Sequence, residues 1–127
     1  MIRIVKAEVS DARDNKLVRR CIFTSAYAFT GWVDDEVACI VGIISPTVLS
    51  NQAYLWLHCT PLVEQHKFLF VRYSQRWLEW AKEEFPVITG HAVISNISGI
   101  RWLRRHLGAE FGEPEQGILP FTIRRAS

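Results

Sequence analysis

Two prolines, Pro61 and Pro86, bracket a long helical pattern, and each is flanked on its outer side by a strand pattern. AYLWLHCT at 53–60 alternates, sending Tyr54, Trp56, His58 and Thr60 to one face and Leu55, Leu57 and Cys59 to the other. Both faces are substantially apolar, which predicts a central strand covered on each side. HKFLFVRYSQRWLEWAKEEF then places Phe70, Tyr73, Trp77 and Ala81 in one stripe, with Phe85 a turn further on. Pro86 cannot continue that helix, and VITGHAVIS at 87–95 reads as the next strand. A helix standing between two single strands is a crossover, so the chain needs a sheet with a helix laid across it.

The remaining segments fit around this unit. IRIVKAEV reads as a first strand, and Ser10 can cap a helix in which Leu17, Val18, Cys21 and Ile22 recur at helical spacing. YAFTGWV at 27–33 and EVACIVGII at 36–44 form a hairpin about Asp34 and Asp35. Pro46 and the polar SNQ stretch mark a loop. After the crossover, a short helix runs from about Ser98 to Leu107 with Ile100, Leu103 and Leu107 inward, and Gly108 can take the left-handed termination. LPFTIRR at 119–125 returns as a last strand. The expected fold is α/β (α+β): one domain over 1–127, with a mixed, mainly antiparallel sheet flanked by helices.

Charge and cysteine usage narrow the function. Fifteen Lys and Arg face thirteen Asp and Glu, a formal +2 that does not suit a general polyanion binder. Arg101, Arg104 and Arg105, with Arg124 and Arg125, could make a local basic patch, but a solvated helix face explains them equally, and nucleic acid is not the expected partner. The opening MIRIVKAEVSDARDN lacks a signal-like apolar segment, and VACIVGII, at eight residues, is too short to span a bilayer. Cys21, Cys39 and Cys59 are widely spaced and set in apolar sequence, which reads as three free thiols in a reducing compartment. No metal site is expected, because no cysteines have ligand spacing and the four histidines do not cluster. His58 and Cys59, as strand neighbours, point to opposite faces and do not make a nucleophile–base pair.

The stretch VISNISGIRWLRRHLGAEF, with the later PFTIRR, resembles the GNAT superfamily of N-acetyltransferases, and most closely its small phage-encoded branch. The resemblance implies an acyl-CoA N-acyltransferase-like fold, with acetyl-CoA in a splay between the strands at 53–60 and 87–95. It places the pyrophosphate on backbone amides in PLVEQHKFL, where the long helix begins, which suits an anion. Thr60, Gln65, His66, Lys67 and Asn96 are the implied cofactor-binding residues. Glu64, Lys67 and Leu69 stand where the family has an Arg or Gln and two glycines, and Arg104 stands at the position of the tyrosine that protonates the leaving thiolate. Arginine cannot be that acid near neutral pH. A base is still needed to take the amine proton, and His58, Glu36 and His91 are the candidates.

Two readings of function follow from the resemblance. The chain is either an acetyltransferase-like phage protein that moves an acetyl group from acetyl-CoA to an amine through a degenerate cofactor site, or a noncatalytic virion or virion-assembly protein that keeps the fold as a protein-binding scaffold. The implied partners are phage structural proteins or a protein substrate, with oligomerisation left open. The implied setting is the host cytoplasm during infection, or the virion itself.

Overall fold

The computed structural model describes residues 2–45, 52–95 and 97–124. Its elements are β1 (Ile2–Lys6), α1 (Lys16–Thr24), β2 (Tyr27–Val33), β3 (Glu36–Ile44), β4 (Gln52–Cys59), α2 (Leu62–Gln65), α3 (Lys67–Glu84), β5 (Val87–Val93), α4 (Ile97–His106), β6 (Glu110–Phe111) and β7 (Ile118–Arg124). The strands hydrogen-bond in the order β1-β2-β3-β4-β5-β7-β6. The β4–β5 ladder is parallel, while β1–β2, β2–β3, β5–β7 and β6–β7 are antiparallel. The expected mixed, mainly antiparallel sheet with helices is therefore present. The chain divides into two compact units, one of residues 1–45 and 55–70 and the other of residues 46–54 and 71–127.

In the first unit the hairpin turns at Asp34 and Asp35 as its sequence predicts, closing on the Val33–Glu36 pair. Asp34 takes a φ of +53° there, a conformation Asp tolerates better than most residues. The helix start differs from expectation. Ser10 lies in a 3-10 turn, Val9–Ala12, and the side chain of Asn15 instead accepts the Val18 amide of α1 at 3.1 Å. Both residue types cap well, so local sequence alone does not choose between them. Asp11 in the 3-10 turn accepts the Glu8 amide and the hydroxyl of the fully buried Thr30, at 2.9 and 2.7 Å. Within α1 only Val18 and Ile22 are buried; Leu17 faces solvent.

Two glycines set how closely this unit packs. A Cβ at Gly31 would lie 2.8 Å from the Phe70 ring and 2.9 Å from Cys39 Sγ, and one at Gly42 would lie 2.6 Å from the Trp56 indole. The absence of a side chain at each position is what admits these groups against the strand. Trp56 is buried and its Nε1 donates to Ser25 Oγ at 2.7 Å. Ser25 in turn donates to the Cys21 carbonyl, tying β4 to the end of α1. Ala38, Ile40 and Ile43 supply the driest part of the core. One expectation fails on β4 itself. Leu57 is 51% exposed and Cys59 is exposed, so the end of the strand is covered on one side only. Apolar alternation records which residues share a face, not whether anything covers it.

The second unit is built on β5, which pairs with β7 along all seven residues from Val87–Arg124 to Val93–Ile118. Ile88 and Ile123 are fully buried at its centre, with Ala53, Leu78, Ala81 and Phe121 also inside. Of the expected stripe, Ala81 on α3 and Phe85 just past its end are buried here, but Tyr73 is 40% exposed and Leu78 is inside. Leu78 and Ala81, three residues apart, share a face with Phe85, and that spacing competes with the Tyr73–Trp77 pattern in the same sequence. α4 ends as expected, with Gly108 at φ +66° and the Leu107 and Ala109 amides both donating to the Leu103 carbonyl. The tight turn into β7 carries positive φ at both Gln116 and Gly117, with Glu115 and Ile118 exchanging backbone hydrogen bonds across it. This is the arrangement that matches the right-handed twist of a hairpin.

Candidate active site

The β4–β5 ladder comprises three pairs among the described residues: Gln52–Val87, Ala53–Ile88 and Tyr54–Thr89. β4 nevertheless continues to Cys59, and β5 continues to Val93 on its β7 side. The free run of β4 is held from its other side. The Thr60 amide donates to the Ala38 carbonyl at 2.8 Å, and its hydroxyl donates to the carbonyls of Val37 and Ala38 at 3.0 and 3.1 Å.

Pro61 then opens α2, a four-residue helix absent from the sequence expectation. The amides of Val63, Glu64 and His66 are used inside it, donating to Thr60, Pro61 and Val63. His66, at φ −128° and ψ 33°, breaks the path, and α3 starts afresh at Lys67. The Phe70 amide donates to the His66 carbonyl, so the amides of Lys67, Phe68 and Leu69 precede the first turn's closing bond. Thr60, Gln65, His66 and Lys67 are thus brought together on one short connection, with Lys67 and Gln65 exposed and His66 half-buried. Glu64 lies in the first turn of α2, also exposed. Asn96 lies outside the described residues.

The three base candidates are not gathered in one place. His58 is half-buried on β4, two residues before Thr60, and Glu36 is exposed at the mouth of the β2–β3 hairpin. His91 belongs to the second unit, where its Nδ1 lies 3.1 Å from the Tyr54 hydroxyl and the two rings are 5.6 Å apart. These two side chains line a shallow cavity of about 410 Å³ together with Glu113, Glu115 and Gln116. A tyrosine hydroxyl on one ring nitrogen fixes the imidazole's orientation and leaves the other nitrogen for a ligand. Two carboxylates nearby suit a cationic group. Sequence reasoning missed Tyr54 as a partner of His91, because only the parallel register brings two residues 37 positions apart into reach.

Neither Cys39 nor Cys59 is an activated nucleophile. Burial pushes the Cys39 thiol up to about 11. Surrounding protein, then Cys39 and Glu64, push Cys59 up to about 12, although its side chain still touches solvent. Both therefore stay protonated at neutral pH. Arg104, at the position the resemblance reserves for the acid, is exposed and lies over the Phe111 ring, 5.2 Å from its centroid. Arg124 pairs with Glu110 at 3.8 Å, so part of the basic patch already has company. Among the described residues, no three His, Cys, Asp or Glu side chains are grouped to hold a metal, and no helix is long and apolar enough to cross a membrane.

Comparison with solved structures matches this architecture along almost the whole chain. An "IAA acetyltransferase" from Bacillus cereus superposes with a TM-score of 0.73 at 8% identity, covering 98% of this chain and 100% of that one. The chain has the acetyltransferase fold. The ribosomal-protein-S18-alanine N-acetyltransferase from Escherichia coli gives a TM-score of 0.71 at 14% identity, covering 100% of this chain and 97% of that one. An acetyltransferase from Bacillus subtilis, solved in complex with CoA, gives 0.69 at 13% identity over 99% and 100% of the two chains. No protein-family model matches the sequence, and no curated protein matches it either. At such identities the likeness is one of fold, and the residues of the site have to carry any further argument.

Proposed function

We propose that this chain binds acyl-CoA on the β4–α3 connection and passes the acyl group to an amine. The observation that carries the reading is the early end of the β4–β5 ladder, at Tyr54 and Thr89, in a chain that starts a long helix soon after that strand. The residues present fit the cofactor at one end. The amides of Lys67, Phe68 and Leu69 stand at the positive end of an 18-residue helix, and the exposed Lys67 adds a charge for a pyrophosphate. The bound group would supply an activated thioester acyl. The protein would orient it with those amides and Lys67, with Gln65 and His66 beside them, while His58 on β4 holds the proton given up by the attacking amine.

A second reading has its own support. α2 consumes the amides of Val63, Glu64 and His66, and Glu64 brings a negative charge to the connection. That arrangement weakens an anion cradle and favours a noncatalytic scaffold. The residue-level resemblance to the phage-encoded branch supports a virion or virion-assembly role for such a scaffold, with phage structural proteins as partners and the infected cell's cytoplasm as the setting. Calorimetry with acetyl-CoA and with CoA separates the two. The enzyme reading expects binding that Lys67→Glu weakens at least tenfold, followed by CoA release when amines are added. No heat at millimolar ligand, with the protein folded, would leave the scaffold reading standing.

A further inference from the structure

The bonds that hold the end of β4 also place two cysteines opposite each other. The Thr60 amide donates to the Ala38 carbonyl. Counting one residue back along β4 and one forward along β3 sets Cys59 against Cys39. The same count sets Trp56 against Gly42, where the indole does lie on the glycine, so two independent contacts fix one antiparallel register. Hydrogen-bonded and non-hydrogen-bonded pairs alternate in such a ladder, and the Thr60–Ala38 bond makes the neighbouring Cys59–Cys39 pair the non-hydrogen-bonded kind. Cα atoms there are about 4.5 Å apart with side chains on the same face, inside the range of about 4.4–6.8 Å that a disulfide spans. The charge coupling between the two thiols agrees with that closeness. Cys59 is open to solvent, while Cys39 is partly shielded, with its sulfur against Gly31.

We propose that Cys39 and Cys59 are a redox-modification site that a peroxide converts to a cross-strand disulfide. In the first step the thiolate of Cys59, a minor form at neutral pH that grows as pH rises, attacks hydrogen peroxide; hydroxide leaves and takes up the proton the thiol released, giving a sulfenic acid and one water in a slow, pH-dependent step. In the second the Cys39 sulfur attacks that sulfur, the S–O bond breaks, and the hydroxyl leaves with the Cys39 proton as a second water. Two thiols are oxidised and one peroxide is reduced, with no further reactant. The bond would staple the last residue of β4 to β3 on the side already joined by Thr60. The proposal is independent of the acyl-CoA reading, since it needs only the β3–β4 register.

The test uses the full chain, reduced, freed of reductant and treated with excess hydrogen peroxide at pH 7 and at pH 9, then denatured and alkylated; the link should form faster at pH 9. Two of the three thiols should be lost, the disulfide should account for a loss of two hydrogens before alkylation, and peptide mapping should join Cys39 to Cys59 within one chain. A dithiol reductant should restore both thiols. Cys21→Ser should form the link unchanged, whereas Cys59→Ser should keep both remaining thiols alkylatable. If Cys59→Ser fails to fold, the peptide map of Cys21→Ser decides alone. Three intact thiols after prolonged excess peroxide at pH 9, oxygen added to Cys59 with Cys39 still free, or a link through Cys21 or between chains would each overturn the proposal.

Discussion

Replacing Gly42 with alanine tests how tightly β3 and β4 are packed. In most strands that exchange stabilises, by about 0.5–1 kcal/mol, because alanine has less freedom to lose on folding. Here the added methyl would stand 2.6 Å from Cε2, Cζ2 and Nε1 of Trp56, a rigid ring that is itself buried. The ring must shift, at an overpacking cost of about 1–3 kcal/mol. Its Nε1 would also leave Ser25 Oγ, now 2.7 Å away, for a further loss of about 1 kcal/mol. The net expectation is a destabilisation of about 2–3 kcal/mol, which at a urea slope of about 2 kcal/mol per molar moves the midpoint down by about 1–1.5 M. Urea unfolding followed by far-UV circular dichroism measures it. In a Trp56→Phe background the atoms that clash are gone, so Gly42→Ala should there cost less than about 1 kcal/mol. A midpoint that stays put or rises in the wild-type background would refute the packing argument, and with it one of the two contacts that set the β3–β4 register.

Thr60→Val keeps the backbone bond to Ala38 but loses the hydroxyl bonds to Val37 and Ala38, for about 1 kcal/mol in the same urea assay, whereas Thr60→Ser should lose less than half of that. Phe70→Ala removes the ring that lies on Gly31 and should cost about 3–5 kcal/mol; a change below about 1 kcal/mol would mean that the ring is no core anchor. Glu110→Gln breaks only the exposed pair with Arg124 and should change stability by less than about 1 kcal/mol. Alkaline pH should weaken the fold through Cys39. The unfolded thiol loses its proton near 9.0 while the folded one holds it to about 11, so stability falls as pH rises through that window. Urea midpoints at several pH values should show a shallower fall in Cys39→Ala.

Much of the fold was legible where the sequence carries a stop signal. Pro61 and Pro86 delimit the crossover helix to within a few residues, and Asp34 and Gly108 sit where the backbone needs positive φ. Short elements were not legible. Leu62–Gln65 is a single turn and Glu110–Phe111 a two-residue strand, so neither shows a period. Burial was harder still. Tyr73 and Leu78 both belong to plausible apolar stripes, and only the partner surface decides that Leu78 is inside at 2% exposure. Of the site, the clustering of Thr60, Gln65, His66 and Lys67 follows from their nearness in sequence. The Tyr54–His91 pair and the Cys39–Cys59 opposition come from strand register, which alternation alone leaves open by any even number of residues.

Although β7 holds the last described residues, it is not an edge strand; it lies between β5 and β6. During synthesis the chain therefore completes β5 with one edge unfilled, and that edge waits until residues 118–124 have left the ribosome. A stop codon anywhere between residues 94 and 117 would release a product with seven residues of β5 backbone unpaired on that side, a template for joining other strands. Such truncated copies would thus be sticky rather than merely shorter.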